Sequence, residues 1–232
     1  MKLRILTHAE RDLRGTLGDL WPEFMRHDPI VSAFWPRLYE VFPDFQFWVV
    51  DEKATIGYAC TVPVNWDGLV AEQRGIDWAL SDGQAGEPTT LSAVVAGLLP
   101  EYRGKGISSV LLRRMAGLAT AHGLDCMIAP VRPTWKERYP LTRIESYSKW
   151  RREDGYHYDP WIRTHERVGA DVLDPAPRSM TITGSRTEWE DWTDLQFPED
   201  GDYIVPGALV PVRFADGVGT YVEPNVWMRH PA

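Results

Sequence analysis

The sequence predicts an α/β fold, and three observations predict it. Leu91–Leu99 is an apolar run of the kind that forms a central strand covered on both faces. Ile107–His122 repeats apolar residues at helical spacing, through Ile107, Leu111, Met115 and Leu118. Phe45–Val50 and Ala54–Val62, joined by the turn Asp51-Glu52-Lys53, read as a β-hairpin. With 232 residues the chain is read as a single domain over 1–232.

The other elements follow in order. Lys2–Thr7 reads as a short first strand. Leu13–His27 and Ser32–Phe42 read as helices, the first with a break at Trp21-Pro22 and the second closed by Pro43. Residues 65–90 are rich in Gly, Asp and Pro and form an insertion with a short helix at Ile76–Leu80. Gly123 closes the long helix from just beyond its end, and Asp125–Val131 forms the next strand. Residues 131–159 are a second insertion with a helix over Arg143–Arg151. Trp161–Val168 reads as a helix entered at Pro160 and stopped by Gly169. Ala170–Leu173 and Met180–Thr183 are extended pieces, 184–219 is a turn-rich third insertion, and Val222–Met228 is a terminal strand.

Composition narrows the class. A net charge of −8 argues against a nucleic-acid partner, which needs a basic surface. No apolar stretch approaches the length of a membrane span, and charged residues follow Met1 at once, leaving no apolar core for a secretion signal. Cys60 and Cys126 both sit in apolar runs and read as buried thiols, with no disulfide framework and no metal site. The expected compartment is the cytoplasm. Eleven tryptophans, Trp66, Trp135, Trp189 and Trp192 among them, fall mostly in turn-rich segments, where packing of long loops is their expected role.

The chemistry concentrates at Arg103-Gly104-Lys105-Gly106-Ile107-Ser108, between the buried strand and the long helix. Gly104 and Gly106 let backbone approach a ligand closely. The helix that follows opens with unpaired N–H groups and a partial positive charge, a ready site for phosphate. Arg103 and Lys105 add full charges. A Walker loop needs Gly-x-x-x-x-Gly-Lys-Ser/Thr, and Lys105 is instead followed by Gly106. A dinucleotide fingerprint needs a third glycine where Ser109 stands, and Asp125 precedes its strand where the ribose-binding acid should end it.

Pro100-Glu101-Tyr102-Arg103-Gly104-Lys105-Gly106-Ile107-Ser108-Ser109 resembles the signature of the GNAT (Gcn5-related N-acetyltransferase) superfamily, Arg/Gln-x-x-Gly-x-Gly/Ala, with Ser108 where the family has Gly or Ala. Ile162-Arg163-Thr164-His165-Glu166-Arg167-Val168-Gly169-Ala170 is similar to the end of the family's later helix, with His165 in place of a frequent tyrosine. The resemblance implies a mixed, strongly twisted central sheet with helices on both faces. It implies transfer of an acyl group, acetyl above all, from acetyl-CoA to the amine of a small molecule. Arg103, Gly104, Lys105, Gly106, Ile107, Ser108 and Ser109 would hold the cofactor's phosphates. Backbone at Leu98, with Leu99 beside it, would hold the pantetheine and polarise the thioester, and His165 would be the general acid for the leaving thiolate.

The family often carries a glutamate on its buried strand as general base, and Leu91–Leu99 has no acid. Asp28, Glu72, Asp77 and Glu145 lie in regions that could face the cleft, and none is assigned. Trp135-Lys136-Glu137-Arg138-Tyr139 and Lys149-Trp150-Arg151-Arg152 mix cations with aromatics and read as solvated helices or, in the functional alternative, as an acceptor lid or a surface for the 3′-phosphate. Two other functions stay open at this point: a non-catalytic acyl-CoA sensor and a nucleotide-dependent oxidoreductase. A homodimer is also left open.

Overall fold

The computed structural model describes residues 2–17, 20–52, 54–71 and 74–231. Among the described residues nine strands form one sheet: β1 (Leu3–Thr7), β2 (Gln46–Asp51), β3 (Ala54–Val64), β4 (Thr90–Leu98), β5 (Cys126–Val131), β6 (Asp171–Ser185), β7 (Gly201–Tyr203), β8 (Val212–Ala215) and β9 (Val218–Pro231). They run β1-β2-β3-β4-β5-β9-β8-β7, and β6 also pairs with β9. β4 and β5 are parallel, whereas the other pairs are antiparallel. The helices are α1 (Pro29–Val41), α2 (Ile76–Leu80), α3 (Ile107–Ala121), α4 (Ile144–Tyr147), α5 (Pro160–Arg167) and α6 (Arg186–Thr193).

The alternation of side chains along each strand builds two cores, one on each face of the sheet. On β2, Trp48 and Val50 join the core that also holds Leu38 of α1, Leu80 of α2 and Trp189 of α6. Phe47 and Val49 point the other way, to Leu111 and Met115 of α3, Tyr147 of α4 and Ile162 of α5. Helices therefore cover both faces, as the sequence implied. The apolar stripe of α3 (Ile107, Leu111, Met115, Leu118) is buried throughout.

Three expectations are corrected. Leu13–His27 is not a helix: the described part holds only a short 3₁₀ turn at Glu23–His27. Asp12 accepts a hydrogen bond from the backbone of Arg14, and Gly15 takes a left-handed φ of 73°; both favour a turn over helix. Residues 184–219 are not merely turns: they contain α6, β7 and β8. Ser185 caps α6 in a reciprocal capping box with Glu188. Trp189 seats the helix, donating from Nε1 to the carbonyl of Gly219 at 2.9 Å. The extended pieces at 170–183 are one strand, β6, interrupted by irregular pairing around Pro175 and Pro177. Cys60 and Cys126 are both buried and free.

Candidate active site

The site arises where the sheet opens. β4 and β5 pair only at Leu91↔Met127 and Ser92↔Ile128. Beyond that, β4 stays with β3 as far as Leu98↔Gly57, and β5 stays with β9 as far as Val131↔Val226. The two strands diverge and leave a cleft of about 550 Å³ between residues 93–98 of β4 and residues 129–132 at the end of β5 and just beyond it. A bulge in β4 helps. Cys60 faces Val95 and Thr61 faces Ala93, so Val94 is the extra residue. A second cavity of about 460 Å³ lies beside α1, lined by Met25, Val31, Trp35 and Tyr58. Trp21, Ile76 and Val94 line both, so the two spaces adjoin.

Backbone polar groups face this opening. Leu99 N–H donates to the carbonyl of Ile56 at 2.9 Å. By the alternation of an antiparallel ladder, Gly97 also bonds β3, and the amides of Ala96 and Leu98 turn to the cleft edge. The Leu98 amide thus faces the cleft edge, whereas the Leu99 amide is spent inside the sheet.

The glycine turn sits at the mouth. Gly104 and Gly106 have φ of 74° and 77°, the left-handed region that disfavours side chains. Gly106 is the N-cap of α3, and no side chain caps that end. The first amides of α3 are therefore offered outward. Arg103 lines the cleft, its Nε donating to the Leu98 carbonyl at 3.0 Å. Ser108 also lines it. Lys105 stands 5.1 Å over the Tyr102 ring, Ser109 is on the first turn of α3, and Ile107 is buried in the core and anchors the helix start.

His165, on α5, lines the cleft as well. Its Nδ1 lies 2.8 Å from Nε2 of His230 on β9, and its ring packs edge-on against Trp161. Its Nε2 is buried without a partner. Burial, then the neighbouring His230, pushes the His165 pKa well below 6.5, and burial takes His230 down to about 4. Both imidazoles are neutral at pH 7, so one ring donates to the other.

Past the end of β5 lies a buried charge network that sequence reasoning did not identify. Arg132 reaches Oε1 of Glu223 with Nε at 2.7 Å and donates from Nη2 to the Gly207 carbonyl. Glu223 is fully buried and accepts hydrogen bonds from Tyr221 and Asn225. Lys136, also fully buried, donates from Nζ to the carbonyls of Tyr139 (2.9 Å) and Leu209 (2.7 Å). Burial lowers its pKa to about 8. The run 135–139, read as a solvated helix with an acceptor lid as the alternative, is instead a clamped short turn.

Asp28, Asp77 and Glu145 do not line either cavity. Asp28 is buried, Asp77 is half-buried and each shifts the other's carboxyl, Glu145 pairs with Arg143 at the surface, and Glu72 lies outside the described residues. Among the described residues, no cluster of His, Cys, Asp or Glu could hold a metal ion, and no helix is long and apolar enough to cross a membrane.

No family model matches the sequence. The chain is similar to the arginine N-acetyltransferase avaD of Aspergillus versicolor, 30% identical over 258 residues that cover 95% of this chain and 88% of that protein. Its fold is similar to the loading GNATL domain of CurA from Lyngbya majuscula (TM-score 0.64, 17% identity, 99% and 96% of the two chains). It is also similar to the GphF GNAT-like decarboxylase in complex with isobutyryl-CoA (TM-score 0.57, 16% identity, 100% and 99% of the two chains).

Proposed function

Because the chain belongs to the GNAT superfamily and is an acyl-CoA-dependent N-acetyltransferase acting on an amine, we propose that it moves acetyl from acetyl-CoA to a small amino compound of the arginine class, in the cytoplasm. The observation that carries the cofactor half is the uncapped N-terminus of α3 at the mouth of the cleft, with Gly104 and Gly106 both left-handed. Arg103, Gly104, Lys105, Gly106, Ile107, Ser108 and Ser109 would receive the diphosphate through main-chain amides and two cations. The acceptor half rests on the likeness to avaD, whose name gives arginine as its substrate.

The residues assign the steps. The pantetheine runs between the diverging strands, where the Leu98 amide donates to the thioester oxygen and stabilises the charge that develops there. The amine attacks the carbonyl carbon directly, and holding both reactants in one cleft removes the cost of a bimolecular encounter. The electron pair of the broken C–S bond leaves on sulfur. His165 meets it as a neutral donor: when His230 donates to Nδ1, the ring proton sits on Nε2, the buried nitrogen that has no protein partner.

Free-thiol release from acetyl-CoA with L-arginine tests the reading. The wild-type protein is expected to release CoA thiol only when the amine is present and to yield acetylarginine by mass. His165→Phe is expected to lower kcat by roughly 10- to 100-fold while acetyl-CoA still binds within about twofold. Unchanged kcat in His165→Phe removes the histidine from the mechanism. Thiol release that ignores every amine offered removes the acceptor class.

A further inference from the structure

We propose that Glu137 binds the acceptor's ammonium and takes its first proton, serving the reaction from the turn after β5. This rests on the N-acetyltransfer reading above. An ammonium has no lone pair, so an amine that arrives protonated needs a base before it can attack. β4 offers none. Among the described residues that line the two adjoining cavities, Glu137 is the sole carboxylate.

Its surroundings leave it available. Arg132 feels the Glu137 carboxylate but is committed to Glu223 and the Gly207 carbonyl. The flanking cations are also engaged. Lys136 points inward to two carbonyls, and Arg138 lies 4.7 Å over the Trp135 ring. Across the cleft stand neutral His165 and Arg103, the latter bonded to the Leu98 carbonyl. Glu137 itself forms no hydrogen bond or ion pair among the described residues.

The turn that presents it is fixed at both sides. Trp135 N–H donates to Oδ2 of buried Asp159 at 2.7 Å, and Lys136 buries a charge that burial opposes. A buried lysine is costly unless its donors are satisfied, and its donors here hold one short turn in place. The geometry therefore rigidly positions an unpaired anion on the wall of the cleft.

The step balances as follows. R–NH₃⁺ gives one proton to the Glu137 carboxylate and becomes R–NH₂. Its nitrogen forms the N–C bond to the acetyl carbon, and the C–S bond breaks with both electrons on sulfur. Sulfur takes the Nε2 proton of His165 and becomes CoA thiol, His165 regains its proton from the second one shed by the nitrogen, and Glu137, exposed at the surface of the turn, returns its proton to solvent.

Initial rates of thiol release with L-arginine, from pH 6.5 to 9.5, decide it. In Glu137→Gln, kcat/KM for arginine should fall about 100-fold at pH 7. The deficit should shrink steadily as pH rises toward the amine's own pKa, and KM for acetyl-CoA should stay within about twofold. Glu137→Asp should recover part of the loss. A deficit under about threefold at pH 7, a deficit constant with pH, or an equal rise in KM for acetyl-CoA would each overturn the assignment. A wild-type protein that releases no thiol with any amine would instead overturn the reading beneath it.

Discussion

Gly106→Val is expected to abolish acetyl-CoA binding while leaving the fold intact. Gly106 sits at φ 77° where β4 hands over to α3. Two effects add there. A β-branched residue in the left-handed region costs about 1–2 kcal/mol, which tends to rotate the turn and withdraw the first amides of α3. The new side chain also projects into open space, since no protein atom lies within 4 Å of a Cβ at this position. That open space is where the diphosphate would approach the backbone. Gly123, at the far end of α3, separates the two effects. It has φ 70° and the same open surroundings, so Gly123→Val carries similar strain away from the cleft. Acetyl-CoA should raise the melting temperature of the wild type and of Gly123→Val, and should leave that of Gly106→Val unmoved. A full shift in Gly106→Val would mean that the cofactor does not use this turn.

Asp77→Asn is expected to stabilise the protein at pH 8, and increasingly so from pH 4 upward. Asp28 is fully buried, and its Oδ1 caps α1 by accepting from the amides of Ile30 and Val31. Asp77 accepts from Thr181 N–H on β6 through Oδ2. The remaining oxygens, Oδ2 of Asp28 and Oδ1 of Asp77, are buried without a donor, so the pair is expected to hold one proton between them. Burial, then the charge of Asp28, raises Asp77 to about 8. A carboxyl raised in the folded state keeps its proton where the unfolded chain has released it. The stability it contributes is complete below the unfolded value of 3.8 and is lost as pH rises through about 8. Asparagine still accepts from Thr181, and its amide supplies a permanent donor to Asp28.

The expected gain at pH 8 is about 2 kcal/mol, or roughly 5 °C in Tm, fading to nothing near pH 4. Burial pushes His157 and His230 down to about 4. Their contribution runs the other way, rising with pH between about 4 and 6.5, but it is the same in both proteins and cancels in the difference. A Tm difference that did not vary with pH would show that the two aspartates share no proton. The pair joins α1 to α2 and β6, so it holds together the wall of the second cavity, where Val31, Ile76 and Met180 lie.

Much of this architecture was legible because it is local. The stripe Ile107, Leu111, Met115 and Leu118 marks α3, the left-handed glycines mark the turn before it, and Ile76–Leu80 is helical as read. What escaped depends on residues far apart in the chain. His165 meets His230 across 65 positions, and no spacing announces that. β6 was split because Pro175 and Pro177 interrupt its alternation, although β9 holds the strand together. β7 and β8, of three and four residues, are too short for periodicity to register. The capping box Ser185–Glu188 is a local signal that marks the start of α6. Glu137 stood in a run whose mixture of cations and aromatics reads as a solvated surface. The burial of Lys136 beside it and the Trp135–Asp159 hydrogen bond show that the turn is anchored.

A crystal of the protein with CoA tests the central claim most directly. The account predicts the diphosphate within hydrogen-bond distance of the main-chain amides at Gly104–Ser108, with the pantetheine running between β4 and β5 toward Leu98. Phosphates lodged on any other surface, with the start of α3 left to water, would contradict it.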